Sequence, residues 1–191
     1  MIDFTPPNKL APQRGRILIS YPYLDDPFFK RTVVLLCEHN DEGSFGFVLN
    51  KYIDVQLDEL IEDLPRFDGR IALGGPVQTS NLFYLHTLGD TLAGSAEVMK
   101  GLYMGGDYEA LREAMSTRKL SPDDIRFFVG YSGWSEGQLE EELKENAWLI
   151  SETEASLVMD TETDKLWQDV LRRMGSPYRV LSNMPEDPSL N

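Results

Sequence analysis

Short apolar segments separated by polar turns recur along this chain, and most have the length and composition of β-strands. Residues 15–20, 32–39 and 44–51 are rich in Ile, Val, Leu and Phe, and the second is apolar at most positions, as in a strand buried on both faces. Residues 40–43 predict a hairpin turn, because Gly43 accepts a left-handed backbone. The same pattern predicts strands over residues 70–73, 82–87, 93–99, 125–131, 148–153 and 156–160.

Helices are predicted where apolar residues recur three and four positions apart. The predicted helices cover residues 57–64, 107–115, 137–146 and 166–174, and Pro65 and Gly175 lie beyond the ends of the first and last. Asp26 followed by Pro27 predicts one capped helical turn. Strands outnumber helices and do not alternate with them, so the sequence predicts an α+β fold and not a doubly wound parallel sheet.

The domain organisation predicted from the sequence is simple. The 191 residues contain no internal repeat or linker, and this length is typical of one domain. We expect an extended N-terminal arm over residues 1–12, which carry three prolines, a single domain over residues 13–182, and a frayed C-terminal tail over residues 183–191.

The net charge of the chain limits the kinds of partner that it can bind. The chain has 18 Lys and Arg against 32 Asp and Glu, a formal net charge of −14, which repels phosphate backbones. We therefore expect no direct contact with nucleic acid. The sequence has no apolar run long enough for a membrane span and no N-terminal signal segment, so no membrane partner is expected. A single cysteine, Cys37, fits a buried thiol in a reducing compartment, and cytoplasmic localisation is predicted.

One catalytic motif is present in the sequence without the residue order that its chemistry requires. The segment Gly133-Trp-Ser-Glu-Gly137 matches the G-x-S-x-G pattern of serine hydrolases and follows a predicted strand. These hydrolases place the histidine after the serine, whereas both histidines of this chain, His39 and His86, precede Ser135. We interpret Ser135 as the start of a helix instead. Spacings typical of metal sites and phosphate-binding loops are also missing, so no metal and no cofactor is predicted.

Several ordered motifs carry a resemblance to a known family. They are Gly15-Arg-Ile-Leu-Ile-Ser-Tyr-Pro-Tyr-Leu-Asp-Asp-Pro-Phe-Phe-Lys-Arg-Thr-Val-Val, Glu38-His-Asn with Gly43-Ser-Phe-Gly-Phe-Val-Leu-Asn50-Lys51, Gly74-Gly-Pro-Val77, and Gly130-Tyr-Ser-Gly-Trp-Ser-Glu-Gly-Gln-Leu-Glu140. Together they cover about residues 10–182 and resemble the AlgH-like family of bacterial cytoplasmic proteins. The resemblance implies a mixed, bifurcated β-sheet that curls into a pseudo-barrel with helices packed outside.

The function of that family is poorly defined, and many members carry the label of transcriptional regulator. Direct regulation at DNA is disfavoured here, because the sequence has no helix-turn-helix pattern and no basic recognition helix. An indirect regulatory role, through a protein or a small ligand, fits the charge better.

Our leading hypothesis is a non-enzymatic binding module for a protein or small ligand. Residues 130–138 combine glycines with large aromatics in what the pattern predicts to be a strand-to-helix loop. The candidate binding residues are Asp26, His39, Asn50, Ser132, Trp134 and Gln138, with Trp134 either stacking on a ligand or filling the core. No catalytic residue is assigned. The alternative is an unfamiliar enzyme with His39 as general base beside a carboxylate such as Asp26.

Overall fold

A computed structural model describes residues 10–118 and 120–186 of the chain. Residues 1–9 of the predicted arm and 187–191 of the predicted tail lie outside the described residues. The strands are β1 (Ile17–Ser20), β2 (Val33–Asn40), β3 (Gly43–Val48), β4 (Tyr52–Ile53), β5 (Ile71–Leu73), β6 (Val77–His86), β7 (Ala96–Met99), β8 (Leu102–Met104), β9 (Ile125–Ser135) and β10 (Trp148–Ser151). The helices are α1 (Leu57–Leu60), α2 (Tyr108–Arg118), α3 (Gln138–Lys144), α4 (Ala155–Met159), α5 (Leu166–Arg173) and α6 (Ser176–Ser182), with one 3-10 turn at Gly89–Thr91.

One branched sheet organises the fold, in the order β10-β1-β2-β3-β9-β6-β8-β7. The long strand β9 is the branch point. Its first half pairs antiparallel with β6 and parallel with β5, while its second half pairs antiparallel with β3. The short strand β4 pairs with β5 outside the main path. The predicted α+β class and the bifurcated sheet are therefore confirmed.

The sheet curls around its main core without closing into a hydrogen-bonded barrel. Gly15, just before β1, approaches β7 so closely that an added Cβ would lie 3.1 Å from the Val98 carbonyl oxygen. Val98 shares one apolar core with Ile17 and Leu35, although β7 and β1 lie far apart in strand order. Cys37 lies in this core, and burial raises the pKa of its thiol, as expected for a structural cysteine.

Helices cover part of the outside of this curled sheet. The side chains of Val158 in α4 and of Trp167 in α5 lie in the main core, and the Trp167 indole N–H donates to the Ser20 carbonyl at 2.9 Å. In the described part of the chain, no helix combines the length and apolar composition needed to cross a bilayer.

Three predicted elements differ from the observed ones, and β4, β8 and α6 have no predicted counterpart. Residues 156–160 were expected to be a strand but lie mostly in helix α4, whose Val158 and Met159 both pack into the core. Helix α1 covers only Leu57–Leu60, because Gln56 supplies no side-chain cap and the backbone is extended at Ile61. Strand β9 continues to Ser135, so most of the expected loop over residues 130–138 is sheet.

Candidate functional site

Two glycine-containing segments cross at close range where β9 passes the start of β6. A Cβ on Gly75 would overlap the backbone of Tyr131, and a Cβ on Gly130 would lie 2.6 Å from the Gly75 carbonyl oxygen. Gly130 also has φ of +66°, which side chains other than glycine rarely adopt. The crossing brings Val77 opposite Tyr131 in the β6–β9 ladder.

An open groove lies beside this crossing, on the sheet face that covers the main core. Glu38, Phe45 and Gly133 form one cross-strand row over β2, β3 and β9. Because Gly133 has no side chain, this row leaves a depression next to the Tyr131 ring. The groove has a volume of about 410 Å³, and its lining residues are Glu38, Asn40, Glu42, Gly43, Ser44, Phe45, Val77, Tyr131, Gly133 and Trp134.

The next cross-strand row points mainly to the opposite face of the sheet, under helix α3, although Ser44 and Trp134 also border the groove. It contains His39, Ser44 and Trp134, since side chains alternate along each strand. The His39 Nδ1 lies 2.7 Å from the Ser44 hydroxyl, and its Nε2 lies 3.6 Å from a carboxylate oxygen of Glu140. The expected carboxylate partner of His39 was Asp26, and the structure places Glu140 there instead.

This serine–histidine–glutamate arrangement lacks the surroundings of a nucleophile. Ser44 is largely buried and lies within β3, which is hydrogen-bonded to β2 on one side and β9 on the other. Catalytic serines need an accessible hydroxyl and nearby backbone N–H groups free to bind an oxyanion. The contacts of His39 with Ser44 and Glu140 instead connect the β2–β3 hairpin to α3.

Trp134 is a core residue. Its side chain is 5% exposed, packs against Phe29 at 6.2 Å between ring centroids, and donates from its indole nitrogen to Glu142 at 2.9 Å. Of the two roles considered for Trp134, its burial matches core filling, and the ring presents no free face for stacking on a ligand.

Asp26 and Asn50 each stabilise the local backbone of the segment between β1 and β2. One Asp26 carboxylate oxygen accepts the backbone N–H groups of Phe28 and Phe29 at 2.8 and 2.9 Å, so the expected capped turn is present. Asn50 accepts from the Val33 N–H and donates to the Arg31 carbonyl, at 2.9 and 2.8 Å.

Ser132 and Gln138 also contact neighbouring elements. The fully buried Ser132 hydroxyl donates to the Gly74 carbonyl at 3.0 Å. The Gln138 side chain accepts from the Ser135 N–H and donates to Glu142, both at 3.0 Å. His39 and Trp134 therefore contact α3, which begins at Gln138, Ser132 contacts the segment before β6, and the six candidates do not form one exposed surface.

The G-x-S-x-G segment lies at a strand end and not at a sharp strand-to-helix turn. Ser135 is the last residue of β9 and pairs with Gly43, and α3 begins only at Gln138, after Gly137 with φ of +72°. The expectation that Ser135 opens the helix is wrong by this geometry, because Gly137 occupies the capping position.

The sequence-based list omitted the residues that form the groove. Glu38, Phe45, Val77, Tyr131 and Gly133 all lie within the motifs quoted above, but residues 130–138 were expected to be a loop. Had the strand been extended past Tyr131, its alternation would have placed Tyr131 and Gly133 on one face and Ser132 and Trp134 on the other.

Comparison with known proteins decides the family. The sequence profile described as AlgH-like matches residues 17–179. The chain belongs to the AlgH-like family. A UPF0301 protein of Cytophaga hutchinsonii is 45% identical over 93% of this AlgH-like chain and 98% of its own length, and one of Bacteroides thetaiotaomicron is 40% identical over 96% and 94%.

Solved structures agree with this AlgH-like assignment. The solution structure of the AlgH protein from Pseudomonas aeruginosa is 30% identical, with a TM-score of 0.72 over 93% of this chain and 97% of that chain. The crystal structure of protein DIP2367 from Corynebacterium diphtheriae shares the fold, with a TM-score of 0.76 at 24% identity over 92% and 94%. The names of these relatives state no reaction, ligand or partner.

Proposed function

We propose that this AlgH-like chain is a non-enzymatic binding module whose binding surface is the groove between the β2–β3 hairpin and Val77. The observation that supports this proposal is that strands distant in sequence meet at one surface. Three segments distant in sequence, which contain Phe45, Val77 and Tyr131, come together to line one concavity of about 410 Å³. Loops and strand ends positioned by a rigid sheet are common binding sites.

The shape of the groove favours a polypeptide over a small ligand. Pockets for small ligands bury roughly 70–90% of the molecule they hold, whereas this groove is shallow and open to solvent. A protein partner can cover an open surface of this kind with one inserted side chain. A small ligand is the other outcome that the experiment below distinguishes.

The two alternatives from the sequence receive less support. His39 has a carboxylate within reach, but it lies on the face opposite the groove and beside a largely buried serine. Direct regulation at DNA would require cations, whereas the described residues lining the groove include two glutamates and no Lys or Arg. An indirect regulatory role through the bound partner remains consistent with this proposal, as does a cytoplasmic location for a chain with one buried thiol.

Site-specific photocrosslinking in cells tests the proposal. The photoreactive amino acid p-benzoylphenylalanine replaces Val77 in the groove or, as a matched control, Val180, an exposed valine on α6 outside the groove. After irradiation, the mass of each crosslinked product distinguishes a protein partner from a small ligand.

We expect one dominant protein adduct from position 77 that position 180 does not give. A small-mass adduct from position 77 would keep the binding module and replace its partner by a small ligand. The same set of adducts from both positions, or none from position 77 while the variant stays folded, would overturn the proposed surface.

A further inference from the structure

We infer that the occupant of the groove is a basic polypeptide segment, with an arginine or lysine side chain lying on the Phe45–Tyr131 floor between Glu38 and Glu42. This inference rests on the proposed function and adds the chemistry of the partner to it. Three features of the groove support it, namely its charge, its aromatic floor and the open space beside Gly133.

The charge of the groove is uncompensated in the described part of the chain. Glu38 and Glu42 are both exposed and line the groove, and no ion pair reaches either carboxylate in residues 10–118 and 120–186. None of the described residues that line the groove is a Lys or Arg. The net charge of −14 adds a long-range field that attracts cationic partners and speeds their encounter.

The floor is aromatic and held in place by packing. The rings of Phe45 and Tyr131 meet edge to face with centroids 5.8 Å apart, and Phe83 contacts Tyr131 in the same geometry at 5.7 Å. Both floor rings are half-buried against the main core, so they are fixed while still reachable from the groove. A guanidinium or ammonium group over such a ring gains cation–π attraction in addition to its attraction to the carboxylates.

Gly133 provides the space for the inserted side chain. It is exposed, and among the described residues only the Tyr131 side chain comes near a Cβ built there, at 3.2 Å. A long flexible side chain can therefore lie along the floor with its charge at the glutamate rim. Neutral apolar partners would fill the same space but would leave the two carboxylates unpaired.

Fluorescence anisotropy with a defined probe tests this chemistry. The probe is a labelled peptide of alternating arginine and serine, and the comparator replaces each arginine by citrulline, which has nearly the same shape and no charge. Binding is measured at about 0.15 M ionic strength, where distant charges are screened. The groove variant is Glu38→Gln with Glu42→Gln. The control is Glu59→Gln with Glu62→Gln, which removes two neighbouring exposed carboxylates elsewhere and gives the same net charge.

We expect the arginine peptide to bind the unchanged protein and the citrulline peptide to bind much more weakly. The groove variant should lose about tenfold in affinity for the arginine peptide, and the control should lose less than about twofold. A third variant, Tyr131→Leu, should also weaken binding of the arginine peptide while circular dichroism shows the fold retained, because the cation–π contact is lost.

Equal losses from the groove and control variants would overturn the inference, since only net charge would then matter. Failure of the arginine peptide to bind would also overturn it. A protein adduct from position 77 together with such a failure would leave the groove as the binding surface and exclude a basic occupant. The absence of both the adduct and peptide binding would remove the proposed function as well.

Discussion

The indole nitrogens of Trp134 and Trp148 donate to the same carboxylate oxygen of Glu142, at 2.9 and 2.7 Å. The two rings meet nearly perpendicular, with centroids 6.0 Å apart, and both are buried. Glu142 lies on α3, so one carboxylate connects that helix to β9 and to β10. Hydrogen bonds to an ionised acceptor are stronger than neutral ones, and this pair fixes how α3 covers the sheet.

Replacing Glu142 by alanine should destabilise the protein by about 1–3 kcal/mol, because two buried indole N–H groups lose their acceptor. Urea unfolding followed by tryptophan fluorescence measures the change. The control, Glu145→Ala, removes an exposed glutamate from the same helix region and should change the free energy of unfolding by less than about 0.5 kcal/mol. Equal effects of the two substitutions would contradict the shared-acceptor account.

Most strands could be predicted because burial leaves a local pattern in the sequence. The apolar run of β2 and the turn before Gly43 identify the hairpin without reference to the rest of the chain. Tertiary contacts, which a local pattern does not contain, decide the exceptions. Helix α4 forms where β-branched and apolar residues predict a strand, because Val158 and Met159 pack into a core shared with α5.

The groove could not be predicted because its residues come from three separate segments. Alternation assigns a face to a residue only when the strand itself is recognised, and the glycine-rich sequence around Gly133 made β9 resemble a loop beyond Tyr131. Trp134 was chosen as a binding candidate for its residue type, yet its partner Glu142 lies on a helix face that the charge pattern predicts to be fully solvated.

Gly75→Ala should cost more than about 2 kcal/mol, because its Cβ would overlap the Tyr131 backbone, which cannot move away like a side chain. Gly133→Ala is the matched control. There the nearest atom is 3.2 Å away, at the end of the Tyr131 ring, and Gly133 needs no left-handed backbone. Thermal unfolding should show a clearly lower melting temperature for Gly75→Ala than for Gly133→Ala. A stable Gly75→Ala protein would show that the two segments do not cross this closely.

Gly133→Val should block the groove while leaving the domain folded. Valine suits a strand, and only the Tyr131 ring must shift, so we expect a change in stability below about 1 kcal/mol. Introduced together with the photoreactive residue at position 77, it should reduce the yield of the specific adduct severalfold. An unchanged yield in a folded variant would mean that the partner does not enter the space beside Gly133.

The free energy of unfolding should fall between about pH 7 and pH 5 partly because of His86. Its Nε2 donates to the Gly105 carbonyl at 2.9 Å and its Nδ1 accepts from the Leu88 N–H at 3.2 Å, an arrangement that requires the neutral ring. Burial lowers the pKa of His86 from its ordinary value of 6.5. The unfolded chain therefore takes up a proton at a higher pH than the folded one, so stability declines as pH falls through 6.5 and levels off below the folded pKa.

Comparing His86→Phe with the unchanged protein isolates this contribution, because the carboxylates titrate in both proteins. Stacking of the His86 ring on Tyr103, at 5.8 Å between centroids, gives the phenylalanine a place to pack. Urea unfolding between pH 5 and pH 7.5 should show a shallower loss of stability in His86→Phe than in the unchanged protein. Identical slopes in the two proteins would mean that the folded and unfolded states protonate His86 alike, which a ring accepting the Leu88 N–H does not allow.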